Sequence, residues 1–134
     1  MMPDRVCLQP CLGSTSAAAT VGRQATYAAL AELGRRADLG CAPALFAEVP
    51  EDVIFILQDY VIAIESCDKL CANHLVTQKG YAVHATVRVD EVLARAGLDD
   101  AGLPVETIPL THPAVVAVAA EIVRVARALL EGAA

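Results

Sequence analysis

The sequence predicts a small three-layer α/β domain, doubly wound, with about four parallel strands covered by helices on both faces. Three observations carry this reading. The run Tyr60-Val61-Ile62-Ala63-Ile64 is continuously apolar rather than alternating, the mark of a strand buried on both faces. Apolar segments of this kind alternate with helical periodicity across short connections, and parallel strands joined in that way have right-handed crossovers. Finally, 56% of the 134 residues are hydrophobic but only 4% are aromatic, so Ala, Val, Leu and Ile must build the interior. Small side chains suit helices packed closely on a sheet.

Arg5 to Pro10 reads as the first strand, and Cys11-Leu12-Gly13-Ser14-Thr15-Ser16 as the turn after it. From Ala17 to Arg36, Ala, Leu and Tyr recur at helical spacing, with Gly34 placed as a C-terminal cap. Gly22 interrupts that helix at a cost of about 1 kcal/mol relative to Ala, so the helix could instead begin there. Leu39-Gly40-Cys41-Ala42 is read as a brief second strand ending in a turn at Pro43. Glu48-Val49-Pro50-Glu51-Asp52 has the proline and acidic residues of a helix start, leading into a short crossover helix over Val53 to Gln58. The apolar residues of Val53 to Leu57 suit a strand equally well on propensity.

Tyr60 to Ile64 is then the third strand, Asp68 to Lys79 a helix capped by Gly80, and Tyr81 to Val89 a fourth strand. Asp90 is placed as the N-cap of a helix over Glu91 to Ala96 closed by Gly97. Leu98 to Pro109 is a turn-rich connection. Thr111 or His112 before Pro113 starts a final helix reaching about Glu131, whose charges at Glu121, Arg124 and Arg127 leave only a narrow polar stripe. Most of its circumference must be covered, by the sheet or by a second copy in a homodimer. The sum is one Rossmann-like domain over residues 1–134, with no internal repeat.

A formal net charge of −6, with ten scattered basic residues, argues against nucleic-acid or anionic-membrane partners. No apolar stretch approaches the roughly 20 residues of a membrane-spanning helix, and Asp4 and Arg5 stand where a signal peptide would be turning apolar. The expectation is a cytoplasmic protein. Five cysteines, an odd number, do not resemble a secreted disulfide scaffold, and in a reducing compartment clustered cysteines point to metal or redox chemistry.

Their positions sharpen this. In a doubly wound sheet the binding site lies outside the carboxyl ends of the strands. Cys11, Cys41 and Cys67 each follow an expected strand, and Cys71 would lie one helical turn beyond Cys67 on the same face. Four thiolates at one edge suit a tetrahedral ion, zinc above all. The plain alternative is that each is an ordinary buried cysteine acting as a small hydrophobe. Cys7 fits that alternative, since it lies inside the first strand, roughly 13 Å from Cys11 at strand rise. His74 extends the Cys67–Cys71 face and is read first as a partly exposed helix histidine, with replacement of one sulfur as its other use. His84 and His112 look structural, the latter as a cap.

The pieces Cys11-x-Gly13, Val21-Gly22-Arg23-Gln24-Ala25, Cys41, and Val61-Ile62-Ala63-Ile64-Glu65-Ser66-Cys67-x-x-x-Cys71-Ala72 resemble the DGC family of zinc-binding proteins. That family is named for an Asp-Gly-Cys motif after a buried strand, and the resemblance implies four cysteine ligands to zinc. The likeness covers roughly Cys11 to Gly80. Glu65-Ser66 stands in place of Asp-Gly, and a positive φ at the second position would strain Ser66.

Two further functions compete. Cys67 at a helix start, with Cys71 as resolving partner, would serve thiol redox or thiol transfer, although a Cys-x-x-Cys pair is missing. Gly13-Ser14-Thr15-Ser16 at a helix start could bind an anion, but it lacks the length and Lys of a P-loop and reads more simply as a cap. No catalytic constellation is complete, so the sequence leans away from an enzyme.

Overall fold

The computed structural model describes residues 2–11 and 13–132. Its strands are β1 (Val6–Pro10), β2 (Ala37–Leu39), β3 (Tyr60–Glu65) and β4 (Ala85–Arg88), and they form one sheet in the order β2-β1-β3-β4 with every pair parallel. Val6 stands opposite both Ala37 and Tyr60, and Pro10 opposite Ile64. All five residues of β1 are buried, which explains why the apolar run does not alternate.

The helices are α1 (Ala17–Leu33), α2 (Ala42–Phe46), α3 (Pro50–Gln58), α4 (Cys71–Gln78), α5 (Val89–Arg95) and α6 (Pro113–Leu130). Strand alternation sends Val6, Leu8, Ile62 and Ile64 to one face, where they pack on Val21 and Ala25 of α1, Val92 of α5 and Val118 and Ile122 of α6. Cys7 and Val61 point to the other face and meet Leu45 of α2, Ile56 of α3 and Val76 of α4. The three-layer arrangement expected from the sequence is therefore present. The apolar side of α6 is taken up by α1, α5 and the sheet, while its polar stripe pairs Glu121 with Arg124 and Arg95, and Arg127 with Glu32.

Local chemistry sets most boundaries. Ser16 caps α1 by accepting from Ala19 N at 3.1 Å, so the helix starts at Ala17 and not at Gly22. Gly22 is instead a point of close approach: a methyl group there would stand 3.2 Å from Val89 Cγ2 and 3.4 Å from Ile64 Cγ2. Gly34, at φ +59°, ends α1 as expected, its N–H reaching Leu30 O. His112 Nδ1 accepts from Ala114 N at 3.1 Å, which makes it the N-cap of α6.

Four expectations are corrected. The second strand is Ala37–Leu39 rather than Leu39–Ala42, because a 3₁₀ turn over Gly34–Arg36 returns the chain to the sheet early, and Pro43 sits in the first turn of α2. The fourth strand is only Ala85–Arg88. Val89 already begins α5, and Asp90 lies in its first turn, pairing with Arg88 at 2.7 Å, while Arg88 occupies the N-cap position. Helix α4 begins at Cys71, not Asp68. Among the described residues no helix is long and apolar enough to cross a membrane.

Candidate metal centre

The chain leaves β1 toward the α1 face and leaves β3 toward the α4 face, and β1 and β3 are neighbours in the sheet. Between their carboxyl ends lies the crevice that doubly wound sheets use for binding. Cys11 stands on one side, held in line with the sheet by its N–H to Ile64 O at 2.8 Å. Cys67 follows β3 on the other side, and Cys71 is the first residue of α4. Cys41, at the N-cap of α2, follows the adjacent β2, and its N–H reaches Asp52 Oδ1 at 3.1 Å. Three neighbouring strands thus end in cysteines. All five cysteines are free thiols.

The thiols are not equally placed. Partial desolvation first, then the charges of Cys11, Cys67 and Glu65, push the Cys71 thiol above its ordinary range, with Lys69 opposing. Cys11, Cys67 and Cys71 therefore share one electrostatic neighbourhood, and Cys41 is not among the groups that shift Cys71. Among the described residues no three His, Cys, Asp or Glu side chains are close enough together to hold an ion as they stand. Cys7 is fully buried in the core on the α2–α4 face, and its thiol is pushed strongly upward by burial and by Asp59 and Asp38. It belongs to the core, as its place inside a strand implied.

The expected helical pairing of Cys67 and Cys71 does not occur. Cys67 lies in the bend after β3, and the helix starts only after Leu70, which takes a left-handed conformation at φ 54° and ψ 46°. Such a conformation costs a non-glycine residue of order 1–3 kcal/mol and collects at functional sites. Ser66 is not the strained residue, since the described non-glycine residues with positive φ are Glu48 and Leu70. Ser66 Oγ instead donates toward Cys11 Sγ at 3.6 Å. Gly13 closes the turn over this pair: a methyl there would stand 3.1 Å from Ala19 Cβ and 3.7 Å from Cys11 Sγ.

Glu65 has a role that sequence reasoning missed. It is 1% exposed, and its carboxylate accepts from Ala72 N at 3.1 Å, from Asn73 N at 2.7 Å and from Asn73 Nδ2 at 2.9 Å. Leu70 offers α4 no side-chain cap, so the last residue of β3 supplies one from across the turn. The negative charge also meets the positive end of the helix dipole. The carboxylate is occupied in fastening Cys71 to the strand that carries Cys67. An acidic residue closing an apolar strand just before a helix lacking its own cap was the available signal. His74 is exposed on α4.

A second polar cluster lies near the opposite end of the sheet. Asp59, just before β3, and Asp38, in β2, each leave one buried oxygen without a partner, and Arg5 pairs with Asp38 at 3.5 Å. Burial first, then hydrogen bonding and repulsion from Asp38, raise Asp59 to about 7. A proton on Asp59 donated to Asp38 gives both orphaned oxygens a partner.

The fold defines a small doubly wound α/β domain in which three neighbouring strands are each followed by a cysteine. The DGC domain matches residues 7–102, well over half of the chain, and the protein belongs to that family. The match reaches further in both directions than the motifs from Cys11 to Gly80. Neither the curated proteins nor the solved structures give a match. Thiols are the donor type that a thiophilic ion prefers, and Ser66 Oγ is directed at one of them, but among the described residues Cys11, Cys41, Cys67 and Cys71 are not gathered into a group that holds an ion as they stand.

Proposed function

We propose that this DGC-family protein binds one zinc ion through Cys11, Cys41, Cys67 and Cys71, in a structural or metal-carrying role. The observation that carries the reading is topological: β2, β1 and β3 are neighbours in that order, and each is followed at its carboxyl end by one of these cysteines. Cys71 joins them because Glu65 pins the start of α4 beside the end of β3. A bound zinc would stabilise the four thiolates and tie the strand ends to α4. All-sulfur coordination leaves no open position, so the site suits holding or passing on an ion rather than hydrolysis.

The thiol-redox reading has less support. It needs a thiolate favoured by a helix start, yet Cys67 precedes the helix and the Cys71 thiol is shifted upward, away from thiolate character. Metal analysis of freshly isolated, reduced protein prepared without chelator tests the zinc reading. Close to one zinc per chain is expected, lost on replacing the four cysteines by alanine. A negligible metal content in the wild-type protein overturns it.

A further inference from the structure

The amino-terminal end of the sheet, opposite the strand ends that carry Cys11, Cys41 and Cys67, gathers three arginines that the sequence keeps apart. Arg5 immediately precedes β1, and Arg35 and Arg36 close the 3₁₀ turn that leads into β2. Pairing of Val6 with Ala37 sets these residues side by side. Together with Asp4 they line an open hollow of about 590 Å³.

The hollow is braced from both sides. Arg5 Nε donates to Arg35 O at 3.0 Å, and Arg36 Nε donates to Asp4 O at 3.1 Å. Each bond fixes a guanidinium through Nε and leaves its two Nη groups, a fork that matches the oxygens of an oxyanion. Arg88, Arg95, Arg124 and Arg127 each pair with a carboxylate within 3.1 Å, whereas among the described residues Arg35 and Arg36 have none. Arg5 is matched by Asp38 at 3.5 Å, yet Arg35 and Arg36 still outweigh the single carboxylate of Asp4. A positive lining of this kind is unusual on a chain of net charge −6 and favours a negative ligand.

A second hollow of about 520 Å³ shares Asp4 and is otherwise lined by Met2, Pro3, Leu57 and Gln58. Met2 and Leu57 are 69% and 64% exposed, large apolar side chains left in water beside the charged hollow. A charged recess joined to an apolar one suits a small molecule with one anionic end. The two oxygens of a carboxylate fill one fork, while a phosphoryl group brings three oxygens and up to two charges, enough for two forks.

We propose that this end of the sheet binds a small organic phosphate. Its phosphoryl oxygens accept from the Nη groups of Arg35 and Arg36, with Arg5 beside them, and its uncharged body lies over Met2, Pro3 and Leu57. Asp4, shared by the two hollows, disfavours a second negative charge on that body. The site is remote from the cysteines and independent of the zinc reading.

The experiment titrates the full chain with inorganic phosphate, phenyl phosphate and benzoate at low ionic strength, following amide shifts by NMR. Shifts are expected at Asp4, Arg5, Arg35 and Arg36, with phenyl phosphate binding more tightly than inorganic phosphate and benzoate weakest. Arg35→Gln should weaken both phosphates about tenfold. The Arg35 side chain bonds to no other described residue, so the fold, checked by circular dichroism, should stand. Arg36→Lys, which keeps the charge and removes the fork, should weaken binding in the same sense. Leu57→Ala should remove the advantage of phenyl phosphate and leave inorganic phosphate unchanged. Absence of saturable shifts with either phosphate overturns the inference, as do shifts that gather at residues 14–19 or affinities that survive both arginine substitutions. Equal binding of the two phosphates overturns the joined apolar recess, and benzoate binding as tightly as phenyl phosphate overturns the choice of a phosphoryl group.

Discussion

Replacing Glu65 by Gln tests whether one carboxylate caps α4 and fastens it to the end of β3. Three donors converge on that group: Ala72 N at 3.1 Å, Asn73 N at 2.7 Å and Asn73 Nδ2 at 2.9 Å. In the best rotamer of E65Q the amide oxygen keeps the two Asn73 bonds, now without charge, and the new NH₂ meets the Ala72 N–H donor to donor. One charge-assisted hydrogen bond is lost outright, at about 1.5–3 kcal/mol. The charge at the helix N-terminus goes with it, for a further ~0.3–1 kcal/mol. Relief of the burial cost of the carboxylate offsets part of this. The net expectation is a loss of about 2–3 kcal/mol, or about 6–15 °C in melting temperature for a domain of this size. The assay is thermal unfolding of chelator-treated protein by circular dichroism, so that metal linkage does not enter. Amide exchange should accelerate first at Ala72 and Asn73. A melting temperature within about 2 °C of wild type would refute the claim that Glu65 caps α4, as would unchanged exchange at those two amides.

Two other predictions follow from buried groups. With Asp59 raised from its ordinary 3.8 to about 7, the folded chain holds a proton that the unfolded chain has already released above pH 4. Its stabilisation is thus complete below about pH 4 and is lost as pH climbs to about 7, so the metal-free melting temperature should fall over that window. Asp59→Asn, whose amide can donate to Asp38 at every pH, should flatten the fall, and parallel curves for the two proteins would sink the paired-carboxyl reading. Cys7, buried and shifted upward, should resist alkylation in folded, metal-free protein at pH 8 while Cys41 and Cys71, both exposed, react. Cys7→Ala should lose about 1 kcal/mol through its small cavity yet keep the wild-type zinc content, and a drop in zinc content would place Cys7 in the centre after all.

Much of the layering was legible because burial writes itself into composition. Tyr60–Ile64 is apolar without alternation because both faces of β3 are covered, and α6 shows its narrow charged stripe because only that side meets water. Caps were legible for a similar reason: Gly34 and His112 each satisfy an orphan backbone group at a helix end by local chemistry alone. The start of α4 was not. Its cap comes from Glu65, six residues earlier on a strand, so no local signal at Asp68 or Leu70 marks the boundary. The second strand was misplaced for a comparable reason, since three residues on a sheet edge carry too little pattern to fix their limits.

The sequence by itself determined that the chain is a doubly wound α/β domain, and that cysteines follow its strands, because strand burial and strand-end position are properties of short segments. Only the tertiary structure decided which of those cysteines share a neighbourhood. The order β2-β1-β3-β4 puts Cys41, Cys11 and Cys67 after adjacent strands, and a buried carboxylate fixes the start of α4, where the charges of Cys11 and Cys67, but not Cys41, reach Cys71. It also decided that Gln9, an unremarkable polar residue in the sequence, lies fully buried and unpaired on the face of β1 that carries Cys7. Such facts depend on parallel pairing between segments tens of residues apart, and no local pattern encodes them.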